Sequence, residues 1–144
     1  VPVLVIPENM EPKPVDDFKE VLYATNFDEK DFTALDKLMS IVKSYEVRVV
    51  CAHVGLPDEY GWDIARLEGM KDILHKKYEK KEFECKLIMG NNVLDTLEST
   101  IKNDPVDILA LTTHKRGMIS RLFNPSLARK MVFHTEIPLL VFHA

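Results

Sequence analysis

The chain has 144 residues, 46% of them hydrophobic and 29% charged, and carries a formal net charge of −4. That is enough for one domain with its own core, at an ordinary composition for a globular protein. No apolar run approaches the roughly 20 residues that span a bilayer, and the Val1–Ile6 run is short and lacks the basic flank of a signal peptide, so no membrane association and a cytoplasmic location are expected.

The opening stretch VPVLVIP (1–7) reads as a strand, and it is nearly repeated 136 positions later. Val1-Pro2-Val3-Leu4-Val5-Ile6 lies over Ile137-Pro138-Leu139-Leu140-Val141-Phe142, apolar on apolar and Pro on Pro. Residues 8–19 hold Pro12 and Pro14 among four acids, without periodicity, and read as a linker. VLYAT (21–25) is a short β-prone run. Phe32, Leu35, Leu38, Met39, Val42 and Tyr45 then keep a helical spacing, with Asp28 placed as N-cap. VRVVCAHV (47–54) is almost continuously apolar, as a strand buried on both faces should be. Ile64, Leu67, Met70, Leu74 and Tyr78 form a second helical stripe. FECKLIM (83–89) is a third strand of the alternation. Leu94, Leu97 and Ile101 mark another helix, which Asn103-Asp104-Pro105 stops. VDILALT (106–112) and PLLVFH (138–143) are the remaining strands. Between them Asn124-Pro125 starts a last helix, since Asn caps well and Pro is favoured at the first helical position. Cys51 and Cys85 each sit in an apolar strand and are read as reduced core thiols.

Strand and helix in alternation, joined by short connections, predict an α/β fold: a doubly wound parallel sheet of five strands with helices on both faces. Ligands of such sheets bind at the carboxyl ends of the strands, near the switch in strand order. That places Thr25–Phe27, His53-Val54 and Thr112–Lys115 around one crevice, with the N-terminus of the last helix pointing in. The charge pattern agrees. No acid lies between Asp107 and Glu136, where Lys115, Arg116, Arg121, Arg129 and Lys130 all fall, while the rest of the chain holds 14 basic against 23 acidic residues. One basic segment on an acidic protein points to a local small-anion site rather than to nucleic acid, a solvated helix face being the plain alternative.

Over 18–144 the sequence resembles the universal stress protein family. VLYATNF is similar to that family's first strand and the acid that ends it, CAHV to its second strand, and ILALTTHKRGMISRLFNPSLARKMVFHTEIPLLVFHA to its last third: a strand, G-S-H-G, nine residues, G-S, a helix and a final strand. The resemblance implies a Rossmann-like fold of the adenine nucleotide alpha hydrolase type, with strand order 3-2-1-4-5 counted from 21–25. It also implies a reading of the repeated strand. Members often occur as tandem repeats, so 1–7 is expected to be the last strand of a preceding repeat, 8–19 the linker and 20–144 the domain. Members pair through the final strand across a two-fold axis. Residues 2–6 should therefore add antiparallel beside 138–142, and the expected partner is another universal stress domain, in tandem or as a homodimer.

In nucleotide-binding members an Asp ends the first strand, and the glycines let backbone amides approach the phosphates at a helix N-terminus. Carried over, that Asp is Asn26, with Ala24 two before it; the adenine-side valine is Val54; the three glycines fall on Thr112, Lys115 and Pro125; the family His is His114; and Ser126, followed by Leu127, keeps the serine. Asn26 brings an amide donor where two acceptors sat, Thr112 and Lys115 add side chains where backbone must come close, and Pro125 has no N–H to give. The expected crevice (Ala24, Asn26, Val54, Thr112, His114, Lys115, Ser126, Leu127) is thus a degenerate one, with ATP binding doubtful and no cofactor expected. His53 and His114, without a carboxylate or thiol near them in sequence, make a poor metal set. There is no nucleophile elbow, H-E-x-x-H, Walker A or C-x-x-C, and Ser126 has no evident base, so no enzymatic activity is expected. The resemblance implies a stress-response dimerisation and signalling module. The alternative is an ATP-binding or other nucleotide-binding switch in which the basic residues compensate for the lost glycines.

Overall fold

The computed structural model describes residues 1–79, 83–113 and 135–143. Within them the strands are β1 (Val3–Val5), β2 (Glu20–Ala24), β3 (Arg48–Gly55), β4 (Phe83–Met89), β5 (Ile108–Thr113) and β6 (Leu139–His143). The helices are α1 (Glu29–Val42), α2 (Tyr60–Lys77) and α3 (Val93–Asn103). One sheet runs β1-β6-β5-β2-β3-β4. Every pairing is parallel except β1 with β6. The five parallel strands stand in the expected order, and β1 closes the β6 edge as an antiparallel strand. The last helix, expected from Asn124-Pro125, falls outside the described residues.

Alternate strand residues feed two cores. Tyr23, Val49, Cys51, Cys85 and Ala110 pack with Leu35, Leu38, Leu67 and Leu74 of α1 and α2. Leu22, Val50, Ala52, Leu109, Leu111 and Val141 pack with Val93 and Leu97 of α3. Full burial on both faces explains the almost unbroken apolar runs of β2 and β3. Asp28 caps α1 by accepting from Asp31 N, and Asn92 caps α3 by accepting from Asp95 N. Gly90 is required just before that second cap, because a Cβ there would lie 1.8 Å from Thr96 Oγ1.

The α2 stripe is displaced from its expected register. Leu67, Met70 and Leu74 are buried, but Ile64 is 39% exposed and Asp63, at 1%, takes the inward position instead. Tyr45, counted with the α1 stripe, lies beyond the helix end and is exposed. At the other end of the molecule Asp107 ties down residues 13–20. Its carboxylate accepts from Lys13 Nζ and from the backbone N–H groups of Lys19 (2.7 Å) and Glu20 (2.9 Å). Burial pushes the Asp107 pKa up, but these donors outweigh it and hold it below the ordinary value.

Candidate functional site

At the carboxyl ends of β2, β3 and β5 the chain builds a buried polar network. β2 ends at Ala24, and Thr25, Asn26 and Phe27 turn the chain into the N-terminus of α1. Asp31, in the first turn of that helix, is 2% exposed. Its Oδ2 accepts from Thr25 Oγ1 at 2.9 Å and from Asn26 N at 2.7 Å. Thr25 Oγ1 in turn accepts from Phe27 N at 2.9 Å, fixing Phe27 at φ 63°, a left-handed conformation that a bulky residue adopts only when its surroundings enforce it. Tyr23 reaches the same turn from below, its hydroxyl donating to Asp31 O and bonding Thr112 Oγ1, both at 2.9 Å. Burial is the main reason that the Asp31 pKa is pushed up to about 6, the nearby Asp28 charge adding to it; Asn26 N–H and Thr25 oppose the rise. Burial likewise drives the Tyr23 phenol far above its ordinary value.

A second buried pair stands beside the first. His53, in β3, lies 2.7 Å from Thr25 O through Nδ1, so that nitrogen carries a proton and donates. Its Nε2 stands 3.2 Å from Asp63 Oδ1 on α2, with the two side chains 6% and 2% exposed. The Phe27 ring covers the imidazole, ring centroids 4.9 Å apart. Nothing but the spacing 63, 67, 70, 74 marks Asp63 in the sequence, where an acid in an apolar stripe is read as a helix-start residue. Asp31 hides similarly behind the cap at Asp28.

The expected crevice residues divide between faces. Ala24 and Val54 meet in the core under α3, 1% and 2% exposed. Asn26 is half-buried at the turn. Thr112 is fully buried on the opposite face, its hydroxyl engaged by Tyr23. His114, Lys115, Arg116, Ser126 and Leu127 fall outside the described residues. A cavity of about 310 Å³ opens nearby, lined by Lys30, Thr33, Lys37, Thr112 and His143 among others. A larger one, about 710 Å³, lies at the amino ends of the strands, between Glu20, Arg48, Lys86 and Asp104. In it Arg48 pairs with Glu20 and Glu84 and Lys86 with Asp104; the smaller cavity, lined by Thr112, is the one next to the buried polar network. Among the described residues no three His, Cys, Asp or Glu side chains stand together to hold a metal ion. No described helix is long and apolar enough to cross a membrane.

A family model described as the universal stress protein family matches residues 17–143. No curated protein matches the chain. Among solved structures, a universal stress protein from Archaeoglobus fulgidus DSM 4304 superposes with a TM-score of 0.67 at 16% identity, covering 88% of this chain and 45% of that one. A universal stress protein solved in complex with cAMP gives 0.64 at 18% identity, over 88% and 97%. A universal-stress-type protein from Pseudomonas aeruginosa UCBPP-PA14 gives 0.62 at 14%, over 99% and 52%. At such identities the likeness is one of fold. The chain spans about half the length of the first and third of these.

Proposed function

This chain belongs to the universal stress protein family, and on that premise we propose that it is a non-catalytic stress-response module that pairs with a second universal stress domain and whose nucleotide crevice is degenerate. The observation that carries the reading sits at the end of β2. The position that keeps a carboxylate in nucleotide-binding members is Asn26, and its backbone N–H is already taken by the buried Asp31 carboxyl. Thr112 stands where a glycine would let the backbone approach a phosphate, and its hydroxyl is spent on Tyr23. The buried Asp31 carboxyl underlies the turn, and above about pH 6 its charge opposes an incoming polyphosphate. The hydroxyls, acids and imidazole of the network face one another rather than a substrate, which supports a role without catalysis. What anion affinity remains we assign to the basic stretch of Lys115, Arg116 and Ser126, which lies outside the described residues.

The pairing part of the proposal rests on register. At the 136-residue offset Leu4 corresponds to Leu140, and these two are directly opposite each other; Val3 faces Val141 and Val5 faces Leu139. Equivalent residues meeting and their neighbours exchanging is the pattern of an isologous two-fold contact. Residues 1–7 thus behave as the final strand of a preceding repeat, and two structural neighbours about twice this chain's length accord with a tandem arrangement. The competing reading, a nucleotide-binding switch, draws on a neighbour of the same fold solved with cAMP. The protein purified from cells without added ligand distinguishes the two. Acid release of its bound small molecules should yield no adenine nucleotide, and a stoichiometric amount would overturn the degenerate-site reading.

A further inference from the structure

Cys51 on β3 and Cys85 on β4 are direct register partners across two parallel strands. Both turn to the α1 and α2 face and share one core. Both are free thiols, 0% and 4% exposed. We infer that this pair is a redox modification site: a buried cross-strand dithiol that an oxidant of the peroxide class closes to an intramolecular disulfide.

The geometry allows closure. Adjacent strands lie about 4.8 Å apart, inside the Cα separations of about 4.4–6.8 Å that disulfides bridge. The β-carbons must then draw in to about 3.8 Å. β4, the outermost described strand on its side of the sheet, has β3 as its one sheet neighbour and is the strand free to shift. A bond made under strain is the more easily reduced again, as a reversible modification requires. The two sulfurs are not equivalent. The neighbouring sulfur and burial hold the Cys51 thiol above its ordinary value, while for Cys85 the Cys51 sulfur and then the Lys71 ammonium lower the pKa against burial and Glu84, which raise it. Cys85 is therefore the attacking thiolate. It displaces hydroxide from the peroxide O–O bond and becomes a sulfenic acid. The Cys51 sulfur then attacks it, the S–O bond breaks, and the Cys51 proton leaves with that oxygen as water. Two thiols and one peroxide give one disulfide and two waters. Leu67, Met70 and Leu74 of α2 pack in the same core as the pair, so a small uncharged oxidant is admitted when that helix loosens, and bulky thiol reagents are not.

The test treats the reduced full chain with hydrogen peroxide, removes the peroxide, unfolds the chain in denaturant, alkylates what thiol remains, and maps peptides by mass spectrometry. The expected product is one chain in which the Cys51 and Cys85 peptides are joined, two hydrogens lighter, and restored by a dithiol reductant. Cys85→Ala should slow oxidation of Cys51 by at least about tenfold, and Cys51→Ala should leave a sulfenic acid on Cys85 that a 1,3-dicarbonyl probe traps when the oxidised chain is unfolded in its presence. Met89, which is 47% exposed, reports that the oxidant has acted. The inference is overturned if both thiols survive while Met89 is oxidised, if they end as sulfinic acids or as links between chains, or if Cys51 reacts as fast without Cys85. The wild-type peptide map decides even if a variant fails to fold.

Discussion

The Asp31 carboxyl is held in a site with little water, bonded to one hydroxyl and one backbone amide, and its pKa stands at about 6 against an ordinary 3.8. The folded chain therefore keeps a proton that the unfolded chain has already released, so this residue's contribution to stability falls as pH rises between those two values and is level above them. Asp31→Asn, which does not titrate, should remove that slope. Relative to the variant, the wild type should lose about 2 kcal/mol from pH 4 to pH 6 in urea unfolding; parallel pH profiles would contradict the assignment. His53 Nε2 and Asp63 Oδ1 stand 3.2 Å apart with both side chains buried, so they are tested as a pair. Asp63→Ala alone should cost about 3 kcal/mol by leaving a buried imidazole nitrogen facing nothing, whereas replacing both residues by Leu should cost less than the two single changes together. Additive costs in denaturant titrations would show that the two side chains do not act as a pair. Neither acid was legible as a buried group, because in both places its neighbours in sequence give it an ordinary role: Asp31 in a helix's first turn, Asp63 beside an isoleucine that fits the stripe equally well. Asn26 and Thr112 stand out only through the family resemblance, which implies a carboxylate and a glycine at those two positions.

Elements were more readable than side chains because their signals are summed over many residues. Continuous apolar runs gave β2, β3 and β5, and the caps at Asp28 and Asn92 start α1 and α3 where their side-chain oxygens meet backbone N–H groups. The register of β1 on β6 was legible as well, since a duplicated strand paired about a two-fold leaves one alignment in which like meets like. The exposed positions of β1 were not: Leu4 and Ile6 are 52% and 63% exposed on what is, among the described residues, the free edge of the sheet. Removing residues 1–7 should transfer that edge to β6, an unbroken apolar strand with unpaired backbone groups, and drive self-association. Light scattering should show the truncated chain growing in mass with concentration. A truncated chain that stays monomeric and as stable as the full one would rule the pairing out.

At the scale of the whole molecule, fold and site have parted company. The chain belongs to the universal stress protein family and has the fold of its solved neighbours, while on the reading proposed above the groups that make a nucleotide site in nucleotide-binding members are altered one by one. Each lost charge-assisted bond weakens binding by about 1.5–3 kcal/mol, so changes at Asn26, Thr112, Lys115 and Pro125 together amount to at least a thousandfold. On that reading what remains is a scaffold that pairs through its edge, where β1 lies antiparallel beside β6. Titration of ATP into the full chain by calorimetry addresses this most directly. The account predicts a dissociation constant of about 1 mM or weaker, with no saturable heat at lower concentrations. Saturable one-to-one binding at micromolar or tighter affinity would contradict it.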